Sequence, residues 1–325
     1  MSDNRLVSVV IPSYNHGEFV GTCIDSILAQ TYRSLEVIVI DDGSTDDTRE
    51  RMKKYGDRIR YVYHDNRGRG ATRNRGIELA KGEWIAFVDA DDIWRREKLE
   101  KQMAAIEKHP EIDLIVTDCC QFDGDKIVQA RFFEKMERIH TAPRKTDGNL
   151  QIFTEMLFPL MIRENFIIQS SVLMRKSCFD KVGFYDNSLK RCQDRDLWMR
   201  LSRHFTFALI DEVLTDQRKH SLADGSGFAQ PIEYRVKMFE KALARNTEWE
   251  TRYEKELRLE MAKTHYELGY FYYSHENNII RYRKHLVAAI ANGYRSPRIY
   301  LQYLSAFIPR SVHSLLKALK SRLGG

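Results

Sequence analysis

The 325-residue chain has no run approaching the ~20 apolar residues that span a bilayer. Its first residues, Met-Ser-Asp-Asn-Arg, lack the apolar core of a signal peptide. The five cysteines (Cys23, Cys119, Cys120, Cys178 and Cys192) show no C-x-x-C spacing and no even framework. That argues against structural zinc and for a reducing compartment. No Gly-rich, Lys-bearing phosphate loop follows the first apolar run; Pro12-Ser13-Tyr14-Asn15-His16-Gly17 stands there instead. There is no clear internal repeat, although 232–292 reads as a degenerate helical hairpin pattern. Acidic residues stop at Glu276. These absences leave a soluble chain, expected in the cytoplasm or at most peripheral on the inner face of a membrane.

Hydrophobic residues make up 43% of the chain, enough for a sizeable core and too many for disorder. The length fits one large domain with a smaller one. The net charge of +6 is unevenly spread: residues 231–325 hold 17 Lys/Arg against 9 Asp/Glu, leaving the first 230 at −2. Ser311–Leu323 reads as a basic amphipathic helix. It suits either an anionic membrane face or simple packing with solvated cations.

Periodicity organises the first 120 residues. Strands are expected at Leu6–Ile11, stopped by Pro12, then at Leu35–Ile40, Ile59–Tyr63, Trp84–Val88 and Leu114–Thr117. Helices are expected at Glu18–Gln30, from Asp46, at Ala71–Ala80 and at Lys98–Lys108. Such alternation predicts an α/β fold with a mostly parallel, Rossmann-like sheet flanked by helices. Further on, Phe166–Arg175 reads as a strand, Asp194–Arg203 as a helix and Thr206–Ile210 as a strand. From Ile232 the chain turns helical. The expected domains are 1–230, split into a nucleotide-binding half (1–115) and an acceptor half (116–230), and a helical appendage over 231–325.

In a parallel sheet, ligands bind beyond the carboxyl ends of the strands. The loops Pro12–Asn15, Asp41–Ser44 and Asp89–Asp92 all fall at that edge. In the last, the apolar run Trp84–Val88 meets three carboxylates, Asp89, Asp91 and Asp92. They repel one another unless something positive lies among them. Hard oxygen ligands of this kind suit Mg²⁺ or Mn²⁺, ions that usually also hold substrate phosphates. Alone, the cluster is equally readable as an acidic turn capping the next helix.

Five stretches occur together and in order: Val7-Ser-Val-Val-Ile-Pro-Ser-Tyr-Asn15, Val39-Ile-Asp-Asp-Gly-Ser-Thr-Asp46, Asn66-Arg-Gly…Ala71-Thr-Arg-Asn-Arg-Gly76, Asp89-Ala-Asp-Asp92 and Asp194-Arg-Asp-Leu-Trp198. With them, residues 5–220 resemble glycosyltransferase family 2, nucleotide-sugar transferases of the GT-A fold. The resemblance implies nucleotide contacts at Pro12, Tyr14, Asp42, Arg73, Asp89 and Ala90, metal ligands at Asp91 and His220, and a catalytic base at Asp194. Asp42 would accept from the base or ribose, Tyr14 would stack on the base, and Asp41 would support the turn. Arg73 would face the diphosphate, or pair with Asp42 or Asp91 in the empty protein. Arg67, Arg69 and Arg75 are expected in solvent, and Asp92 would fix its loop. Gln193 stands where many relatives carry Glu.

The implied activity is an inverting, metal-dependent transfer of sugar from a nucleoside diphosphate, UDP first, to a hydroxyl of a glycan or lipid-linked acceptor, as in cell-surface polysaccharide synthesis. The 220–227 loop would order over the donor. No nucleic acid is expected. The alternatives are a nucleotidyltransferase, a nucleic-acid binder using the basic tail, and an inactive sugar-nucleotide binder.

Overall fold

The computed structural model describes residues 5–219 and 229–306, apart from the side chain of Ser305. His220, the 220–227 loop and the 311–323 segment, all singled out above, lie outside the described residues. The chain divides into two compact units, Met1–Ala223 and Asp224–Gly325. No helix among the described residues is long and apolar enough to cross a membrane.

The first unit opens with β1 (Val7–Ser13), α1 (Gly17–Leu28), β2 (Leu35–Asp42), α2 (Thr48–Met52), β3 (Arg60–His64), α3 (Arg69–Leu79) and β4 (Trp84–Phe87). It continues with β5 (Ile93–Trp94), α4 (Lys98–Lys108), β6 (Leu114–Asp123), β7 (Lys126–Gln129), β8 (Arg144–Asp147) and β9 (Leu150–Phe153). It ends with α5 (Phe158–Arg163), β10 (Leu173–Arg175), α6 (Cys178–Val182), α7 (Gln193–Leu201) and β11 (Phe207–Arg218). The described strands form one sheet in the order β3-β2-β1-β4-β10-β6-β11-β9-β8, with β5 against β11 and β7 against β6. The β3-β2-β1-β4 portion is parallel, as is β6 with β11; β10 runs antiparallel between β4 and β6. Strands from both sides of residue 115 therefore share one sheet.

Three expectations need correction. Pro12 does not stop β1, which continues to Ser13 and pairs Pro12 with Ile40. β4 pairs only with Val7–Val10, so at Pro12 the strand has a neighbour on one side and can spare an N–H. Phe166–Arg175 is not one strand: a 3₁₀ turn, Gln169–Ser171, precedes a three-residue β10. β11 does not end at Ile210 but runs to Arg218, through register shifts around Val213.

The core of this unit is built from the apolar strand interiors and one face of each helix. Val9, Ile11, Val37, Val39, Trp84 and Ala86 are fully or almost fully buried with Val20, Ile24 and Ile27 of α1. α3 lies so close to β1 that a Cβ on Gly76 would stand 2.2 Å from Val10 Cγ1. Gly76→Ala is expected to cost about 1–3 kcal/mol through overpacking. Urea denaturation checks this; an unchanged midpoint would mean α3 can shift freely.

The second unit is helical: α8 (Ala229–Arg245), α9 (Glu248–Arg252), α10 (Glu254–Ser274), α11 (Ile279–Ala291) and α12 (Pro297–Ala306). Of its tyrosines, Tyr272 and Tyr282 are buried while Tyr270, Tyr273 and Tyr300 are exposed; the Tyr273–Tyr282 rings lie 4.9 Å apart. His265 and His285 meet with Nδ1 atoms 3.0 Å apart. Burial holds both imidazoles below their usual pKa, and for His285 the His265 ring adds to it, bringing it to about 4. An unfolded histidine takes a proton near pH ~6.5. Between pH 6.5 and 4 the unfolded chain therefore binds protons that the folded unit refuses, so stability falls as pH drops. Hydrogen exchange of α10 and α11 should accelerate over that range, and His285→Gln should flatten the response.

Candidate active site

Hydrogen bonds at the carboxyl edge of the sheet order three loops. Asn15 adopts φ 55°, donates its N–H to Ser44 Oγ at 2.9 Å, and accepts the Thr45 N–H on Oδ1 at 2.8 Å. Gly17 N–H reaches Asp46 Oδ2 at 2.9 Å. The β1 and β2 loops are thus laced to each other. The third loop closes on itself through Asp92 N–H to the Asp89 carbonyl at 3.0 Å.

Asp92 is almost fully buried and anchors that third loop. Arg218 N–H donates to its Oδ1 at 2.9 Å, and the Ser170 hydroxyl donates to its Oδ2. Ser170 Oγ in turn accepts the Asp89 N–H at 3.0 Å, and the Ser170 carbonyl accepts Trp94 Nε1–H at 2.7 Å. This explains why the Phe166–Arg175 strand breaks: its turn carries the support for the acidic loop. Burial, and then the charges of Asp89 and Asp91, push the Asp92 carboxyl well above the usual carboxylate range.

A cavity of about 260 Å³ opens over this loop, lined by Pro12, Tyr14, Asp42, Arg73, Asp89 and Asp91 among others. Arg73, on α3, donates from Nη2 to Asp89 Oδ1 at 2.7 Å. It therefore pairs with neither Asp42 nor Asp91, as the sequence had suggested. Burial opposes charge on Arg73, but Asp89 outweighs it and holds the guanidinium pKa up. Burial likewise opposes charge on Asp89, while Arg73 and then Arg69 keep its carboxyl below the usual range. The Arg73 guanidinium lies 5.7 Å from the Tyr185 ring centroid, and its buried Nε has no hydrogen-bond partner among the described residues. A cation so buried, with a donor to spare and an open cavity beside it, suits an anionic ligand.

Asp41 and Asp42 divide their work. Asp41 supports the turn, taking Ser44 N–H at 2.8 Å and the Tyr61 hydroxyl at 2.5 Å. Asp42 lines the cavity, yet its carboxylate already holds Arg67 N–H at 2.7 Å and Gly68 N–H at 3.0 Å. Those two donors present themselves because Gly68 takes φ 86° ahead of α3. A carboxylate offers about four lone-pair sites, so Asp42 can still accept from a ligand. Tyr14 is half exposed at the cavity rim. Ala90 is buried in the core, so its methyl group does not face the cavity.

Several lining residues were not singled out beforehand. Arg69, exposed as expected, also lines the cavity with Arg73. Ser13 lines it with a buried, unpartnered hydroxyl. Arg218 also lines it, donating from Nε to the Asp91 carbonyl at 3.2 Å while its guanidinium stacks near Phe19 and Phe122.

Asp194 stands in the first turn of α7, where its Oδ1 accepts the Arg195 N–H at 2.8 Å. Its charge bears on both Arg73 and Tyr185. Asp196 is instead structural: it holds Arg200, which grips the carbonyls of Val182, Gly183 and Phe184. Gln193 is buried with Oε1 unpartnered.

The donor set suits a divalent ion of the Mg²⁺ or Mn²⁺ type only in part. Asp91 and Asp89 offer carboxylate oxygens to the cavity, whereas Asp92 spends both of its oxygens on the protein. Among the described residues no group of three or more His, Cys, Asp or Glu is placed to hold an ion. Two carboxylates do fit an ion that takes its remaining ligands from substrate phosphates and water.

Comparison with known proteins agrees with this architecture. Residues 8–183 match the family described as glycosyl transferase family 2. An uncharacterised glycosyltransferase of Rickettsia typhi is 36% identical over 216 residues, 66% of this chain and 64% of the relative, so the match spans under two thirds of that protein. The structure of S. aureus TarS 1–349 in complex with UDP-GlcNAc superposes with a TM-score of 0.63 at 20% identity, covering 90% of this chain and 82% of that one. A Pyrobaculum calidifontis mannosyltransferase in complex with GDP-Man and Mn²⁺ gives 0.58 at 16% identity, covering 92% and 79%. The fold is that of the GT-A glycosyltransferases, and with more than half of its length matched, the chain belongs to glycosyltransferase family 2.

Proposed function

We propose that the chain transfers a sugar, with inversion and with the help of a divalent metal, from a nucleoside diphosphate to a hydroxyl of a glycan or lipid-linked acceptor. UDP is the expected nucleotide, and cell-surface polysaccharide synthesis the expected setting. The observation that carries this reading is Arg73: buried, paired to Asp89, with a spare Nε, at a cavity that also presents Asp42 and Asp91. A diphosphate beside Arg73 would share its charge with Asp89. The related structures hold UDP-GlcNAc in one case and GDP-Man with Mn²⁺ in the other.

In this reading Pro12, Tyr14 and Asp42 hold the nucleoside, and Arg73 and Arg69 face the phosphates. A Mn²⁺ or Mg²⁺ ion held by Asp91, with Asp89 beside it, would supply Lewis-acid neutralisation of the departing phosphate. The acceptor oxygen forms a bond to the anomeric carbon as the bond from that carbon to the phosphate oxygen breaks. The electron pair leaves with the nucleoside diphosphate, and the acceptor proton passes to Asp194. A single displacement needs one carboxylate base and no nucleophile on the protein.

The test is nucleoside diphosphate release from a panel of UDP- and GDP-sugars with Mn²⁺, Mg²⁺ or EDTA. Release from a UDP-sugar that EDTA abolishes is the expected result. Failure to bind any sugar nucleotide would overturn the assignment. We also propose that the basic residues 310–325 hold the enzyme to an anionic membrane face; flotation with anionic liposomes should then be lost on deleting them.

A further inference from the structure

We propose that a second cavity, on the opposite flank of α3, is a subsite for an anionic sugar of the acceptor, a saccharide bearing a phosphate or a carboxylate. The cavity measures about 580 Å³, more than twice the one over the acidic loop. α3 separates the two: Arg69, Thr72 and Arg73 face the first, while Ala71, Asn74, Arg75 and Glu78 face the second.

The polar groups here are mostly donors. Arg67 lines the cavity, and its guanidinium has no ion-pair partner among the described residues. Arg75 lines it as well, balanced by Glu78 at 3.0 Å. His64 lines it too, with Nδ1 2.7 Å from the Asp65 carbonyl. A carbonyl only accepts, so Nδ1 carries the proton there. Nε2 is left buried and without a partner. In that tautomer Nε2 is an acceptor, suited to a sugar hydroxyl. Asn187 completes the set: its Oδ1 accepts from Asn74 at 3.1 Å, which leaves its amide N–H₂ to donate outward. One net-uncompensated guanidinium, an imidazole and an amide converge on a space with room for a ring.

The rim supplies the sugar contact. Tyr63 and Phe184 both line this cavity and remain 45% and 42% exposed, although the Arg49 guanidinium lies 5.6 Å from the Tyr63 ring centroid and Phe184 meets Phe179 edge-on at 5.6 Å. The electron-rich face of an aromatic ring attracts the slightly positive C–H face of a pyranose. Aromatic rims with donors between them fit a charged saccharide better than a bare anion.

Two links tie the subsite to the reaction. Arg67 N–H holds Asp42, and Asn74 holds Tyr185 through Nδ2–H to its carbonyl at 2.9 Å and through Oδ1 from its N–H at 2.9 Å. Tyr185 is the ring beneath Arg73. Phe184 and Asn187 of the cavity lie in the segment that leads into α7, which carries Asp194. The identity of the ligand as an acceptor rests on the transferase reading; its binding does not, and can be measured without turnover.

Calorimetric titration of the full chain with glucose 1-phosphate, glucuronate, glucose and inorganic phosphate separates the possibilities. Both charged sugars should bind more tightly than glucose and than inorganic phosphate. Arg67→Ala should weaken them by about tenfold or more, the usual worth of a charge-assisted contact. Arg67→Lys should restore part of the loss, and Asp91→Asn should leave binding unchanged. Loss of charged-sugar binding in Asp91→Asn, or its competition by UDP, would place the probe in the first cavity and overturn the proposal. Inorganic phosphate binding as well as glucose 1-phosphate would overturn the saccharide assignment. Equal binding of glucose and glucuronate would overturn the anionic one.

Discussion

Asp194→Asn is expected to lower turnover by roughly 10²–10⁴, the usual contribution of a positioned general base. Nucleotide affinity should stay within about twofold, because Asp194 is not among the residues that line the donor cavity. A purely structural carboxylate makes the opposite forecast. At a helix N-terminus a negative charge stabilises by about 0.3–1 kcal/mol. Its loss would then appear as a lower melting temperature with activity intact. Asn keeps the Oδ1 that accepts Arg195 N–H, so the fold has little reason to suffer. Turnover, nucleotide Kd and melting temperature measured on one preparation decide between the two. Activity within a factor of two of the parent would remove Asp194 from the mechanism.

Much of this site is readable from the chain because its chemistry lies at strand ends. The apolar runs that make β1, β2 and β4 also fix where their loops must emerge, so the 12–15, 41–44 and 89–92 loops could be brought together on paper. What periodicity does not carry is side-chain direction. Four arginines in nine residues look alike as a string; on α3, Arg69 and Arg73 are four apart and share a face, while Arg67 and Arg75 serve the other flank. Placing them on the helix would have set Arg69 beside Arg73 at the cavity, exposed as expected. Ser170 and Arg218 gave no such signal. Their roles depend on a 3₁₀ turn and on the long, irregular β11, which bring residues 80 to 130 positions apart against the acidic loop. Asp42 shows the converse: the residue was found, but the two backbone donors it holds could not be foreseen.

The acidic loop gives the second large effect, because its three carboxylates do three different things. Asp91→Asn should abolish metal-dependent nucleotide release, by a factor of about 10² or more, since removing charge stabilisation at the leaving group costs that much or more in comparable sites. Calorimetry should show Mn²⁺-assisted UDP binding lost with it. The fold should remain, because Asn keeps the backbone carbonyl that Arg218 holds. Asp92→Ala should act through stability instead. It strands the Arg218 N–H and the Ser170 hydroxyl, buried groups that cost about 1–3 kcal/mol each when unpaired. Asp92→Asn, which keeps an acceptor for Arg218, should recover most of that loss. If Asp91→Asn retained Mn²⁺-dependent release while Asp92→Asn lost it with the fold intact, the roles would have to be exchanged. The geometry argues against exchange: both residues line the cavity, but Asp92 is almost fully buried with both oxygens engaged by Ser170 and Arg218.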